Sequence, residues 1–233
     1  MKFETQLQKV IQRNSNVTSY RFNRPDGFEY KAGQFLNVTL NHNEKELSKY
    51  LSFSSSPTEP THIEFTKKLS DSEFSNALRN AKLGYMVKID APYGKFTFEG
   101  EYPKIALLGG GIGITPFMSI CKYATDKGLN NKITLFYGCS TPDDVVFREE
   151  FEELAKTNKN LKLVFTVSRP TPEWKDKTGR INPDMIKTEL PDFKECIFYA
   201  CGPPPMVKGM EAIIDTLGIP KEQFKIEYFT GYT

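Results

Sequence analysis

Read from the N-terminus, the chain first shows short runs in which apolar and polar residues alternate: FETQLQKVIQ, VTSYRF, QFLNVTL, LSFSSS, HIEFTKK and MVKIDAP. Successive side chains of a strand point to opposite faces, so such runs predict strands buried on one side. Turn residues separate them, as in NRPDG at 23–27 and the Ala32-Gly33 pair, and the one helical candidate is Ser75 to Ala81. Many short strands at this spacing predict an antiparallel barrel or sandwich. After Pro103 the pattern changes. Apolar runs alternate with helical ones: KIALLGG, TPFMSICKYATDKG, ITLFYGC, REEFEELAKTN, LKLVFTVS, CIFYACG and PMVKGMEAIIDTLG. Strands joined by crossover helices make a mostly parallel sheet. The chain therefore reads as two units, an all-β unit over residues 1–100 and an α/β unit over 101–233, with the change at 99–103.

Composition adds mainly exclusions. A chain of 233 residues with 39% hydrophobic content can bury one large core or two modest ones. The formal net charge is +2 with both signs interspersed, which gives no argument for nucleic acid as a partner. The first residues, MKFETQLQKVIQRN, contain no apolar leader segment, and no run approaches the roughly 18 apolar residues that span a bilayer. Cys121, Cys139, Cys196 and Cys201 form no CxxC pair, and only His42 and His62 could join them as ligands. The expectation is a chain without a metal or iron–sulfur site, in a reducing cytosol, as a monomer or weak oligomer.

Two turns carry the candidate chemistry. Gly109–Phe117, GGGIGITPF, lies between an apolar strand and a helix, where a helix N-terminus meets exposed backbone and suits a negative group. It does not match G-x-G-x-x-G, since the third glycine would fall on Ile114 or Pro116. Thr115 is an N-cap candidate, with Pro116 fixing the helix start. The second turn, Cys201-Gly202-Pro203-Pro204-Pro205-Met206, follows the strand CIFYA and opens the last long helix. Both turns fall on the carboxyl edge of one parallel sheet, where open α/β sheets bind ligands. Taken singly, the first reads equally as a ligand-free βα turn and Cys201 as a small buried residue; together they point to a nucleotide.

Further motifs join these. Lys49-Tyr50-Leu51-Ser52 precedes Phe53-Ser54-Ser55-Ser56-Pro57, Ser72-Glu73-Phe74-Ser75-Asn76-Ala77-Leu78 follows, and the chain ends EYFTGYT. In this order, over essentially the whole length, the set resembles the ferredoxin–NADP reductase superfamily. The resemblance implies an antiparallel Greek-key barrel that binds flavin, followed by an α/β pyridine-nucleotide unit. The family's Arg-x-Tyr-Ser motif falls on Lys49 to Ser52, and its Gly-x-x-Ser-x-x-Leu phosphate motif on Ser72 to Leu78. Lys49 keeps the charge of the usual arginine but not its bidentate fork. Leu51 replaces the tyrosine that lies against the flavin, while strand alternation should turn Tyr50 to the opposite face. Ser72 stands in place of the loop glycine.

What the resemblance implies can be stated residue by residue. One FAD, with FMN as the alternative, is held by Lys49, Leu51, Ser52, Thr66, Ser72, Phe74 and Ser75, with Phe229 or Tyr232 covering its ring. The nicotinamide nucleotide meets Gly110, Gly111, Gly113, Thr115, Cys201, Gly202, Pro203 and Met206. Ser52, Thr115, Cys201 and Tyr232 are the catalytic candidates. Ser168, Arg169 and Arg180 fit a 2′-phosphate and favour NADPH; against this, Ser140 stands where some NADPH-using relatives carry arginine, and Asp143 and Asp144 follow, so NADH is the alternative. The implied activity is hydride transfer between NAD(P)H and flavin, with electrons exchanged with a ferredoxin or flavodoxin. A flavin reductase, an oxygenase reductase component and a subunit of a larger electron-transfer complex are the other readings. Lys31, Lys45, Lys67 and Lys68 are expected to ring the electron exit or to be ordinary solvated surface.

Overall fold

The computed structural model describes residues 1–229. Its first half supplies β1 (Lys2–Gln12), β2 (Val17–Asn23), β3 (Phe35–His42), β4 (Lys45–Ser52), β5 (His62–Lys68), α1 (Glu73–Asn80) and β6 (Met86–Tyr93). The six strands pair antiparallel in the order β4-β3-β6-β1-β2-β5. Insertion of β6 between β3 and β1 gives the Greek-key connection. The sheet curls until Phe53, just past β4, bridges Phe65 on β5 and closes a barrel. Alternation works as expected: β3 turns Leu36, Val38 and Leu40 inward against Tyr20, Phe22, Phe53 and Phe65.

One strand differs from the sequence reading. The run LSFSSS is strand only to Ser52, and the strand begins six residues earlier than that run, at Lys45. Asn43 and Glu44 adopt φ of 49° and 63°, the left-handed pair that a two-residue hairpin requires, so β3 doubles straight back. The returning strand is the sheet's edge and carries Lys45, Glu46 and Lys49, charges that hide its period but protect an open edge.

The second half supplies β7 (Lys104–Gly110), α2 (Thr115–Asp126), β8 (Lys132–Cys139), α3 (Arg148–Thr157), β9 (Leu161–Val167), β10 (Lys177–Thr178), α4 (Pro183–Glu189), β11 (Ile197–Gly202), α5 (Pro204–Leu217) and β12 (Phe224–Tyr228). Its strands are all parallel, in the order β10-β9-β8-β7-β11-β12. β10, α4 and β12 were not read from the sequence: two are too short to show a period, and α4 is set by Asn182, whose side chain caps the Met185 N–H ahead of a seven-residue helix.

One apolar cluster unites the halves. Val17, Ala32, Phe96 and Phe98 pack with Phe117, Ile120 and Tyr199, and the Tyr199 hydroxyl donates to the Thr97 carbonyl at 3.0 Å. Lys122–Glu59 at 3.3 Å and the hydrogen bond from Thr58 to Asp126 add polar ties. Among the described residues no helix is long and apolar enough to cross a membrane.

Candidate functional site

The carboxyl edge of the parallel sheet faces the barrel, and between them opens a cavity of about 350 Å³. The barrel contributes Phe35, Tyr50, Leu51, Ser52, Thr66 and Tyr93; the glycine turn contributes Ile112 and Thr115; the end of β12 contributes Glu227, Tyr228 and Phe229.

The glycines are explained by close approach rather than by a dinucleotide fingerprint. A Cβ on Gly113 would lie 2.2 Å from the Cys201 carbonyl oxygen, and one on Gly110 2.3 Å from Met206 Sδ. Gly202 meets the same methionine, at 2.6 Å from Cε, so the two turns and the first turn of α5, with Pro203 as its N-cap, press together. Gly111 takes φ +50° and opens a short 3-10 turn over Gly111–Ile114. That turn changes the role of Thr115. It is the first residue of α2, Ile114 holds the cap position, and the Thr115 hydroxyl donates back to the Ile112 carbonyl at 3.2 Å. Cys201 is fully buried, its thiol donates to the Gly113 carbonyl at 3.0 Å, and burial holds its pKa far above the usual range. It remains a neutral thiol, a shape and hydrogen-bond element rather than a nucleophile.

Glu227 was missed in the sequence. It stands beside Cys201 in the β11–β12 register, its Oε2 is buried without a hydrogen-bond partner among the described residues, and burial pushes its carboxyl up to about 7. An acid in FKIEY gives no signal until β12 is recognised as a strand of the sheet.

On the barrel side the Ser52 hydroxyl lines the cavity and bonds to no described residue, which leaves it open to a ligand. Leu51 is 5% exposed and Tyr50 58%. The expectation that Tyr50 faces away from the site is corrected. β4 is the sheet's edge strand, so the cavity wraps around it and meets both of its faces; Tyr50 packs edge-on against Phe35 and Tyr93 at 5.7 and 6.0 Å. Lys49 is half-buried, and burial followed by the Lys49 charge pushes the Lys67 ammonium down to about 8. Two ammonium groups this close suit a phosphate or pyrophosphate. In the α1 loop, Ser72 caps the Ser75 N–H, and the Ser75 hydroxyl accepts from the Ser70 N–H at 3.1 Å and from the Ser72 hydroxyl at 3.0 Å. Phe74 is a barrel-core residue, so its ring does not reach the cavity. Phe229 donates its backbone N–H to the Gly202 carbonyl at 2.8 Å and lines the cavity, whereas Tyr232 lies outside the described residues.

Farther along the edge, the loops after β8 and β9 are stitched together by Ser168 N–H to Cys139 carbonyl at 3.1 Å and Arg169 N–H to Ser140 carbonyl at 2.8 Å. Arg148 sits between Phe165 and Trp174 at 4.9 and 5.0 Å and pairs with Asp176, which anchors the segment leading to Arg180. Ser168, Arg169 and Arg180 are exposed, and neither arginine has an ion pair among the described residues. The lysines do not form a free ring: Lys31 pairs with Glu99, Lys45 pairs with Glu73, Lys67 is buried and Lys68 is exposed.

The cavity fits a flavin ring. Leu51, Ile112 and the aromatic trio give it apolar walls, and Ser52, Thr115 and the orphaned Glu227 oxygen give it a polar edge.

Known proteins agree with this geometry. Residues 4–98 match the oxidoreductase FAD-binding domain family and residues 107–212 the oxidoreductase NAD-binding domain family. The NADH-cytochrome b5 reductase 1 of Coccidioides immitis (strain RS) is 30% identical over 240 residues, covering 93% of this chain and 77% of that protein. The reductase component of propane 2-monooxygenase from Rhodococcus jostii (strain RHA1) is 27% identical over 97% of this chain, which spans only 63% of that protein's length. In fold, the cytochrome b5 reductase domain of Ulva prolifera nitrate reductase superposes with a TM-score of 0.85 at 24% identity, each chain covered to 97%. The ferredoxin NADP+ reductase of Neisseria gonorrhoeae, solved with FAD and NADP, gives 0.85 at 20% identity over 97% of this chain and 98% of that one. Matched in both halves and in the same order, the chain belongs to the ferredoxin–NADP reductase superfamily, flavin- and pyridine-nucleotide-binding oxidoreductases.

Proposed function

We propose that residues 1–100 hold FAD and residues 101–233 hold NADPH, and that the chain passes electrons from this nucleotide to a ferredoxin- or flavodoxin-like carrier in the cytoplasm. The observation that carries the reading is the single cavity into which Ser52 of the barrel and Thr115, Glu227 and Phe229 of the nucleotide unit all converge. Bound flavin supplies the link between a two-electron hydride donor and one-electron acceptors.

The chain's own residues do the rest. Lys49, Lys67 and the start of α1 with Ser72 and Ser75 hold the flavin phosphates. Tyr50 and Leu51 wall the ring on one side and Phe229 covers the other. Ser52 donates or accepts at the ring's polar edge. Cys201, by holding the Gly113 carbonyl, fixes the two turns that receive the nicotinamide. Glu227, its carboxyl pushed up to about 7 by burial, is partly protonated at neutral pH and can present a proton to that edge. Ser168, Arg169 and Arg180, exposed and without acid partners among the described residues, suit a 2′-phosphate.

The purified protein should be yellow, heating should release FAD identifiable by chromatography, and NADPH should reduce ferricyanide. A colourless chain that takes up neither FAD nor FMN sinks the reading. Similarity to reductase components of propane 2-monooxygenase and glycine betaine monooxygenase favours a second reading, delivery of electrons to an oxygenase. Rapid turnover of free FMN without ferredoxin-linked activity would identify a flavin reductase instead.

A further inference from the structure

Thr66, in the cavity wall, is joined to the nucleotide unit by a closed run of buried polar groups. Arg13, just past β1, donates from Nε to Ser19 Oγ at 2.8 Å, from Nη2 to Glu64 Oε1 at 3.4 Å and from Nη1 to Glu150 on α3. Ser19 Oγ lies 2.6 Å from Thr66 Oγ1, which lies 2.8 Å from Ser54 Oγ, and Ser54 donates to Glu64 Oε1 at 3.1 Å. Ser19, Ser54, Glu64 and Thr66 are all buried, and the Arg13 side chain is only 12% exposed.

The proton order in this ring is dictated by its ends. A guanidinium only donates and a carboxylate only accepts. Ser54 gives its proton to Glu64, so it must accept from Thr66. Thr66, having given its proton, must accept from Ser19, whose lone pair Arg13 fills. Arg13 is held in place from the other unit: besides Glu150, the Phe147 ring lies 4.5 Å from its guanidinium carbon, and Asn14 donates to the Asp143 carbonyl at 2.9 Å. Phe147 keeps this place in a left-handed conformation, φ 61°, that costs a buried aromatic residue strain.

We propose that Arg13 is a positioning residue that sets the hydrogen-bonding state of Thr66 at the flavin cavity according to its engagement with Glu150 on the nucleotide unit. The proposal rests on the flavin reading above. Docking of α3 against the barrel and the order of the cavity wall are then one equilibrium, although Glu150 does not line the cavity.

FAD affinity, measured by titrating flavin into the stripped protein, tests this with Thr66→Val, Glu150→Gln and their combination. Thr66→Val should weaken FAD about 3–10-fold, the loss of one hydrogen bond. Glu150→Gln should weaken it by about twofold or more, and the double variant should be no weaker than Thr66→Val alone, because Glu150 acts through that hydroxyl. Thr66→Ser should keep native affinity and restore the sensitivity to Glu150→Gln. If Glu150→Gln lowers the melting temperature but leaves FAD affinity native, the bridge is structural only and the proposal falls. It falls equally if the two losses multiply. Failure of the native chain to bind FAD, seen before any variant is compared, removes the flavin reading and this proposal with it.

Discussion

Glu227 carries its charge at a cost that pH can reveal. Its folded pKa of about 7 lies above the ordinary 4.5, so between those values the folded state holds more protons than the unfolded one. Stability then falls as pH rises through that window, and the full penalty remains above it. Each unit corresponds to about 1.4 kcal/mol, so Glu227→Gln should gain on the order of 1–3 kcal/mol at pH 8 without flavin and flatten the decline seen in urea melts from pH 4.5 to 7. An unchanged profile would show that water reaches the carboxylate. The glycines offer a contrast at the same scale. Gly113→Ala drives a Cβ into backbone, which cannot swing aside, and should cost more than about 3 kcal/mol. Gly111→Ala meets nothing and faces only its φ of +50°, about 1 kcal/mol. Urea midpoints of the two variants check both figures, and equal losses would show that close approach is not the constraint.

At the scale of elements, the segment after β9 is where the proposed preference for NADPH would be set. It is pinned at one end by Arg169 N–H on Ser140 and at the other by the Arg148–Trp174–Asp176 cluster, and among the described residues the Arg169 and Arg180 guanidiniums carry no ion pair that would compete with an anion. Arg169→Ala and Arg180→Ala should each lower kcat/KM for NADPH about 10-fold or more, the worth of a charge-assisted hydrogen bond, and leave NADH nearly untouched. A higher native kcat/KM with NADH, unaltered in ratio by either change, would overturn the assignment. The lysines bear differently on the partner. With Lys31 and Lys45 already paired and Lys67 buried, no free basic ring remains among these four to steer an acidic carrier.

At the scale of the whole molecule, the two units share one apolar cluster and should therefore unfold together. Phe98 is fully buried between them, and Phe98→Ala should cost about 3–5 kcal/mol. The single tryptophan, Trp174, reports on the nucleotide unit and flavin absorbance on the barrel. Their thermal transitions should coincide, in the native chain and in the variant alike. Two separated transitions would show that the cluster does not couple the units.

The sequence by itself determined the two sheets, their order along the chain, and most residues of the two turns. Those features follow from local pattern: a period of two before Pro103, apolar runs alternating with helices after it, and glycines where backbone must turn. The strand β4 was legible only at its end, because an edge strand carries the charges that blur its alternation. Tertiary structure alone decided the rest. Tyr50 entered the cavity because the pocket wraps an edge, Phe74 left it for the core, and Thr115 lost its capping role to the turn before it. Glu227 and Arg13 acquired meaning only when β12 lay beside β11 and α3 lay against the barrel, since burial and pairing arise between segments far apart in the chain.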